Sequence, residues 1–344
     1  MSRSRTGSGP AKRSSEREIL PDGVILDCTL REGPYEVAFD GGDMRAIAHA
    51  LTSSGIDHIE VGAETGLASR ADVDDAAIVT AVRESEPQAV IGVIAGTDTA
   101  TLDDIRRVAD AGADFVRVAA DAPRWRDALP VIAAVRSLGL VATFNAIKCH
   151  SVTAAQLALL ARETTEAGAD IVYLVDSAGT LVPTDVTERT AVVRDAGARA
   201  GFHGHDNLTL AVANSLAAFA AGASVVDGTL RGAGRSAGNA QLEVLVAALR
   251  KQAWTAPVDG DALSLAAEEL VAVRRAHDRG VGFLDLCMGE GGFHSAGLAD
   301  ARGVADAYGV SLGPLLRETG RLDPSGPSRT SLEKVAKAQA AGEL

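Results

Sequence analysis

The feature that most limits the possible folds of this 344-residue chain is a regular alternation of short apolar segments with helical patterns. The apolar segments are residues 23–29, 57–62, 89–95, 114–119, 140–146, 170–176, 200–204 and 224–229. Most are continuously apolar, as expected of parallel strands that are buried on both faces. Several of the helical patterns between them end in a glycine, which is a common helix stop.

Eight strand–helix units match the roughly 250 residues of a (β/α)8 barrel. A doubly wound open sheet would more often have five or six strands and a glycine-rich turn after the first one. We therefore predict an α/β fold, a (β/α)8 TIM barrel over residues 19–252. A disordered basic tail (1–18) precedes it, and a helical C-terminal extension (253–344) follows it. The helices of the extension are predicted near 259–277, 296–308 and 329–340.

Composition restricts the partners of the chain. A formal net charge of −13 argues against nucleic acid as the main partner, because phosphates would be repelled outside any local basic patch. No segment reaches the roughly 18 consecutive apolar residues that span a membrane, and no secretory signal is visible. The cysteines, Cys28, Cys149 and Cys287, are too far apart for a disulfide framework or a zinc ribbon. A cytoplasmic location fits this pattern best.

Polar residues accumulate at the predicted C-terminal ends of the strands, where barrel enzymes carry their active sites. His203 and His205 lie two residues apart on one strand, so their side chains point to the same side. Imidazole together with a carboxylate suits zinc, manganese, iron or cobalt. The pattern predicts a metal site opposite Arg31 and Glu32, with rim or core histidines as the alternative. Further polar residues at strand ends are Asp27, Glu60, Arg117, Asn145, Lys148, His150, Asp176, Ser177, Asp206 and Asp227.

Four short motifs together carry a family resemblance. They are D-C-T-L-R-E-G (27–33), I-E-V-G (59–62), H-G-H-D-N (203–207) and G-A-G-R-S-A-G-N-A (232–240). In this order the motifs resemble those of the DRE-TIM metallolyase superfamily. That group contains 4-hydroxy-2-oxoacid aldolases, hydroxymethylglutaryl-CoA lyase, and the isopropylmalate and homocitrate synthases. The resemblance implies a carbon–carbon lyase that uses a divalent metal such as Mn²⁺, Mg²⁺, Zn²⁺ or Co²⁺.

The resemblance also implies a role for each matching residue. Glu32, His203 and His205 would bind the metal, with Asn239 beside them as a weak or outer ligand. Arg31 would stabilise an enolate oxygen, and Glu60 would hold Arg31. The predicted substrate-binding residues are Asp176, Ser177, Asn145 and Arg117.

The chain departs from the family pattern directly after the arginine motif. Where the hydroxyoxovalerate aldolases carry a catalytic histidine, this chain has Tyr35 after Gly33 and Pro34. Because a tyrosine with a pKa of about 10 is a poor base at neutral pH, we expect a histidine from elsewhere to serve. His294 is the first candidate and His150 the second, with Tyr35 as a hydrogen-bond donor. The alternative is that these are ordinary surface residues.

The predicted activity is an aldolase or lyase reaction between a 2-oxoacid enolate, as from pyruvate, and an aldehyde. The absence of Glu-Gln after Gly33 favours this over the alternative of an acyl-CoA-dependent Claisen-condensing synthase. Two further alternatives are a Schiff-base aldolase that uses Lys148 and a catalytically silent metal-binding barrel. The hydroxyoxovalerate aldolases pair with an aldehyde dehydrogenase, so such a partner is possible here. Association into a homodimer or another homo-oligomer is also expected.

Overall fold

In the computed structural model, which describes residues 18–252, 254–274 and 280–344, eight parallel strands close into a barrel in chain order. The strands are β1 (Val24–Asp27), β2 (His58–Glu60), β3 (Val90–Gly96), β4 (Phe115–Asp121), β5 (Val141–Ile147), β6 (Ile171–Asp176), β7 (Ala200–Gly204) and β8 (Val225–Gly228). The barrel closes where β8 pairs with β1. The predicted (β/α)8 fold is therefore confirmed, and every predicted strand overlaps an observed one. The predicted tail lies outside the described residues except for Glu18.

A single-turn helix, α1 (Thr29–Glu32), follows β1 at the barrel mouth, and a layer of longer helices surrounds the strands. These are α2 (Gly41–Ser53), α3 (Asp75–Ser85), α4 (Leu102–Ala111), α5 (Leu129–Ser137), α6 (Ala154–Glu166), α7 (Pro183–Asp195), α8 (Ala211–Ala220) and α9 (Leu242–Lys251). Thr101 and Thr153 begin α4 and α6 with capping boxes. Gly112 ends α4 with a φ of 104°, a left-handed conformation that glycine adopts without strain.

The inside of the barrel is filled by its own small apolar cluster, which includes Leu26, Cys28, Phe115 and Tyr173. The large rings require glycine on a neighbouring strand. A Cβ atom at Gly92 would overlap the Phe115 ring, and one at Gly201 would lie 2.8 Å from Tyr173 Cδ1. The barrel is thus solid below its mouth, which leaves only the C-terminal end open for a site.

The C-terminal extension is helical, as predicted. Its helices are α10 (Gly260–Ala266), α11 (Phe283–Gly291), α12 (Leu298–Tyr308), α13 (Leu312–Leu322) and α14 (Arg329–Ala340). Helix α10 packs on the outer core of the barrel, whereas α11–α14 enclose a separate apolar cluster. The division after residue 252 remains a prediction, and the packing of α10 favours a later point. None of the helices in the described ranges has the length and apolarity needed to cross a bilayer.

Helices α11 and α13 were not predicted from the sequence, whereas α10, α12 and α14 fall in predicted segments. Glycines weaken the helical signal of both α11 and α13, since each glycine disfavours a helix by about 1 kcal/mol relative to alanine. Here the glycines serve packing. A Cβ atom at Gly291 would lie 2.6 Å from Arg317 Cα, and one at Gly320 would overlap the Gly291 carbonyl oxygen. Close approach of the two helices therefore outweighs their low intrinsic propensity.

We predict that Gly92→Ala lowers the free energy of unfolding by about 1–3 kcal/mol, because the added methyl group overpacks the barrel interior against Phe115. Gly303→Ala is the matched control. A Cβ atom there meets nothing within 4 Å on the exposed face of α12, so stability should be unchanged or rise by up to about 1 kcal/mol. Urea unfolding followed by circular dichroism measures both. Equal stabilities for the two variants would contradict the proposed packing.

Candidate active site

A cavity of about 340 Å³ opens at the C-terminal ends of the strands. Its floor comes from the barrel, and its remaining wall comes from the segment between α11 and α12. Of the predicted site residues, those that line it are Arg31, Glu32, Tyr35, Asn145, Ser177, His203, His205 and His294. The strand ends and the C-terminal extension thus bring most of the predicted site together.

Glu32, His203 and His205 form a compact ligand group. Their potential ligand atoms lie within 4.8 Å of one another, with His203 Nε2 3.9 Å from Glu32 Oε1. Zinc–nitrogen and zinc–oxygen bonds of about 2.0–2.2 Å allow ligand atoms to lie up to roughly 4.4 Å apart, close to this spacing. All three residues are buried. Two imidazoles and a carboxylate are also a donor set suited to a divalent transition metal.

The Nδ1 atom of each histidine lies next to a hydrogen-bond acceptor. His203 Nδ1 lies 2.9 Å from Asp227 Oδ2, and His205 Nδ1 lies 3.1 Å from the Gly238 carbonyl oxygen. These acceptors keep the proton on Nδ1 and leave the Nε2 lone pairs for a metal. Burial lowers the pKa of His203, and burial followed by the neighbouring His203 lowers that of His205. Both rings are therefore neutral at neutral pH, as ligands must be.

Asn239 lies beside this group. Its Nδ2 donates to the Ala233 carbonyl oxygen at 3.1 Å, whereas its buried Oδ1 has no hydrogen-bond partner among the described residues. The adjacent Gly234 leaves a gap: a Cβ atom there would overlap the Asn239 amide and lie 3.1 Å from Glu32 Oε2. A buried carbonyl oxygen without a partner is costly. The residues present therefore fit a metal ion at this position.

Arg31 reaches the site from α1 and is held from β2. Its Nε donates to Glu60 Oε2 at 3.0 Å, and its Nη1 also contacts Glu32 Oε1. Burial alone would raise the pKa of Glu60, but Arg117 and then Arg31 outweigh it and lower that pKa to about 2. Glu60 is therefore ionised under all ordinary conditions and fixes the guanidinium of Arg31.

Arg117 lies beneath the cavity and is fully buried. It donates to Glu60 Oε2 at 3.0 Å and to Asp227 Oδ2 at 2.5 Å. Asn145, which does line the cavity, accepts from Arg117 Nε at 3.1 Å and Nη2 at 2.9 Å when its amide oxygen faces the guanidinium. Arg117 thus joins the carboxylate that holds Arg31 to the carboxylate that orients His203. Its observed contacts are those of a positioning residue.

Comparison with known proteins identifies the family of the chain. The family described as HMGL-like matches residues 24–271. This chain belongs to the HMGL-like family. It is 35% identical to the 4-hydroxy-2-oxovalerate aldolase of Carboxydothermus hydrogenoformans over 321 residues, which covers 91% of this chain and 96% of that one. It is 33% identical to the oxaloacetate decarboxylase of Mycobacterium tuberculosis over 306 residues, covering 87% and 91%.

A solved structure shares the fold of this HMGL-like protein. The carboxyl transferase domain of Rhizobium etli pyruvate carboxylase superimposes with a TM-score of 0.74 at 16% identity, covering 94% of this chain and 61% of that one. At this identity the likeness concerns the fold alone. The family match and the two relatives above confirm the predicted class, a metal-dependent lyase or aldolase that acts on carbon–carbon bonds. The HMGL-like family implies a divalent metal without naming the ion.

The candidate bases of the HMGL-like protein occupy different places. Tyr35 and His294 line the cavity, whereas His150 does not. Both ring nitrogens of His150 are buried without a hydrogen bond to any described residue, next to Gly292. His294 Nδ1 accepts from Ala296 N at 3.3 Å. Burial, and then the charge of Arg235, lower the pKa of His294 to about 3.

Two more predicted residues serve the loops around the cavity. Asp176 is fully buried and accepts from the backbone N–H groups of Thr180 and Leu181, each at 3.0 Å. It is not among the residues that line the cavity, although Ser177 is. Burial raises the pKa of Asp176 to about 6. Ser177 Oγ accepts from the Lys148 backbone N–H at 2.9 Å.

Lys148 links the barrel to the C-terminal extension. Its Nζ lies 3.0 Å from Asp121 Oδ2 and 2.9 Å from the Ser325 carbonyl oxygen. A Schiff base requires a neutral, unencumbered amine. Both contacts occupy the Lys148 amine, which disfavours the Schiff-base alternative.

Two residues of the HMGL-like site received no role from the sequence. Asp227 was noted only as a polar strand end, although its place on β8, next to β7, could have suggested a partner for His203. Arg235 lies in the glycine-rich run and lines the cavity. Its position in a loop gave no periodic signal, so only the folded structure reveals its side chain at the site.

We predict that His205→Ala weakens the binding of Co²⁺ or Mn²⁺ by more than about 100-fold, because losing a ligand should exceed the 10- to 100-fold effect of losing an outer partner. Calorimetric titration of chelator-treated protein measures the dissociation constant. His150→Ala is the control, since that ring is buried nearby but does not line the cavity. Unchanged affinity in His205→Ala would remove this residue from the ligand group.

Proposed function

We propose that this protein is an aldolase that makes or breaks a carbon–carbon bond between a pyruvate-type 2-oxoacid and an aldehyde. The observation that carries the proposal is the convergence of Glu32, His203 and His205 beside Arg31 at one cavity. The 4-hydroxy-2-oxovalerate aldolase relative, 35% identical over most of both chains, supports the same reaction.

The cleavage reaction balances as follows. The 4-hydroxyl group of a 4-hydroxy-2-oxoacid loses its proton, and the C3–C4 bond breaks to release an aldehyde. The electron pair moves toward the 2-oxo group to give an enolate, and a proton returned to C3 yields the 2-oxoacid. The decarboxylase relative is named for a reaction in which loss of carbon dioxide from oxaloacetate would leave the same enolate.

Glu32, His203 and His205 would hold the divalent metal, with Asn239 next to them. When bound, a divalent ion supplies Lewis-acid stabilisation of negative charge on a substrate oxygen. Mn²⁺, Mg²⁺, Zn²⁺ and Co²⁺ all remain candidates. Arg31 adds guanidinium donors for the charge that develops on the enolate oxygen. Glu60 holds Arg31 in place, so little reorganisation is needed during the reaction.

Proton transfer to and from the 4-hydroxyl group falls to His294, with Tyr35 as a hydrogen-bond donor. Both line the cavity. For His294 Nε2 to accept the proton, the ring must carry its own proton on Nδ1 and give up the 3.3 Å bond from Ala296 N. That bond is long, so the change of tautomer costs little. His150 is the second candidate and would first have to leave its buried place beside Gly292.

The other functions considered have less support. Neither relative named above is an acyl-CoA-dependent synthase. Both are named for a reaction that they catalyse, which disfavours a catalytically silent metal-binding barrel. Association into a homo-oligomer, and a dehydrogenase partner for a released aldehyde, remain proposals. The C-terminal extension, which is helical and has its own core, is one part of the chain that could make such contacts.

We predict that Arg31→Lys lowers kcat for aldol cleavage by about 10²–10³, because an ammonium cannot reproduce the planar donors of the guanidinium. Divalent-metal affinity should change by less than about tenfold, because the three proposed ligands remain. Steady-state cleavage of 4-hydroxy-2-oxovalerate and a parallel metal titration measure the two effects. Near-normal turnover would remove Arg31 from the mechanism.

The pH profile tests His294 as the base. A base acts when unprotonated, so the rate falls as the pH drops below its pKa. Burial, and then Arg235, Lys148 and His150, lower the pKa of His294 to about 3. We therefore expect kcat/KM for cleavage to lack a histidine limb between about pH 8 and 6.

The matching substitutions complete this test. His294→Ala should lower kcat by about 10², the low end of the usual contribution of general-base catalysis, because a base with a pKa of about 3 is a weak one at neutral pH. His150→Ala should leave most of the activity. Proton exchange at the pyruvate methyl group in D₂O gives an independent readout of enolate formation. If Tyr35→Phe removes the activity and His294→Ala does not, the two roles are reversed.

A further inference from the structure

The charged residues around the cavity are almost all paired with one another. Each carboxylate that lines it has a cationic partner. The pairs are Glu32 with Arg31, Glu64 with Arg70 at 2.6 Å, Asp98 with Arg124 at 3.1 Å, and Asp121 with Lys148 at 3.0 Å. Two of the lining cations, Arg31 and Lys148, are used in these pairs. Within the described ranges this leaves Arg235 as the lining cation whose side chain has no carboxylate partner.

Hydrogen bonds hold the backbone around Arg235. The loop therefore directs the Arg235 side chain into the cavity. The Arg235 backbone N–H lies 3.3 Å from Glu32 Oε2. The preceding Gly234 has a φ of 155°, and the loop is closed by a 3.0 Å bond from Asn239 N to the Gly232 carbonyl oxygen. The glycine-rich run is therefore built against the proposed metal ligands, and it presents one arginine to the cavity.

The charge of Arg235 acts on the cavity side of the loop. Its guanidinium carbon lies 5.5 Å from the centre of the Tyr35 ring. After burial it is the largest influence that lowers the pKa of His294, and after burial and His203 it also lowers that of His205. Arg235 thus adjoins the two residues, Tyr35 and His294, that the proposed mechanism assigns to the 4-hydroxyl proton. The substituent on C4 of a substrate would lie on this side.

We propose that Arg235 binds a second carboxylate of the substrate, carried by the aldehyde-derived half. The natural substrate class would then be a 4-hydroxy-2-oxo dicarboxylic acid, and the aldehyde released would itself be an acid. A guanidinium matches a carboxylate through two parallel hydrogen bonds and balances its single charge. An arginine that merely packed on Tyr35 would need no such partner. This inference rests on the proposed aldolase function.

The test compares two substrates that differ only at the far end. In 4-hydroxy-2-oxoglutarate a carboxylate stands where 4-hydroxy-2-oxovalerate has a methyl group, and both yield pyruvate on cleavage. Arg235→Met removes the charge and keeps an unbranched, flexible side chain, although one that is two atoms shorter. We expect kcat/KM for the dicarboxylate to fall roughly 10- to 100-fold, as for one lost charged hydrogen bond. For the monocarboxylate it should change less than about threefold.

Two further variants distinguish the effect of a positive charge at the cavity from the effect of the net charge of the protein. Arg235→Lys should recover part of the preference for the dicarboxylate. Arg106→Met removes the same charge from the exposed face of α4, away from the cavity, and should leave both substrates unchanged. Equal losses on both substrates in Arg235→Met would overturn the proposal, because Arg235 would then serve the shared 2-oxoacid end. No loss on either would also overturn it.

A binding measurement keeps the proposal distinguishable from the aldolase function. The analogues 2-oxoglutarate and 2-oxovalerate have no 4-hydroxyl group to cleave and again differ by one carboxylate. Calorimetry on the metal-loaded protein should give the tighter dissociation constant for 2-oxoglutarate, and Arg235→Met should abolish that difference. If this holds while neither hydroxylated substrate is cleaved, the aldolase function fails and the carboxylate site stands. If cleavage occurs without the binding difference, the aldolase function stands and the carboxylate site fails.

Discussion

The site depends on one buried ion-pair network centred on Arg117. This arginine lies inside the barrel and joins Glu60 on β2 to Asp227 on β8. Burying a charge is costly unless its partners are well placed. Removing one partner from such a network typically lowers the free energy of unfolding by about 3–5 kcal/mol. Both carboxylates also contact residues that line the cavity above them: Glu60 holds Arg31, and Asp227 fixes the ring of His203. The floor of the cavity and its proposed chemistry are therefore set by the same interaction.

Much of the fold was readable from the sequence because the barrel strands are buried on both faces. Eight apolar segments of similar spacing have few other solutions, and the predicted segments overlap β1–β8. The misses fall where tertiary packing overrides local preference. Helices α11 and α13 contain Gly291 and Gly320, which lower helix propensity but allow the two backbones to meet. A pattern that counts apolar periodicity cannot recognise a glycine that serves a close contact.

The site was predictable to the extent that it follows strand geometry. His203 and His205 could be paired because alternation along a strand is regular, and Arg31 and Glu32 follow the first strand directly. The roles of residues whose side-chain direction depends on loops or on buried partners were harder to predict from the sequence. Arg117, expected to touch substrate, lies below the cavity, and Arg235 was missed. Strand position gives the level of a side chain in the barrel, whereas its partners are known only after folding.

The floor and the roof of the cavity belong to different apolar cores. Helices α11–α14 have their own cluster, and Lys148 ties them to the barrel mouth through the Ser325 carbonyl oxygen. A core of this size is marginal by itself, because small units bury a smaller fraction of their surface. On heating, the smaller core would open first. Thermal inactivation would then precede the melting of the barrel, and the temperature at which the enzyme stops working would report on its last sixty or so residues.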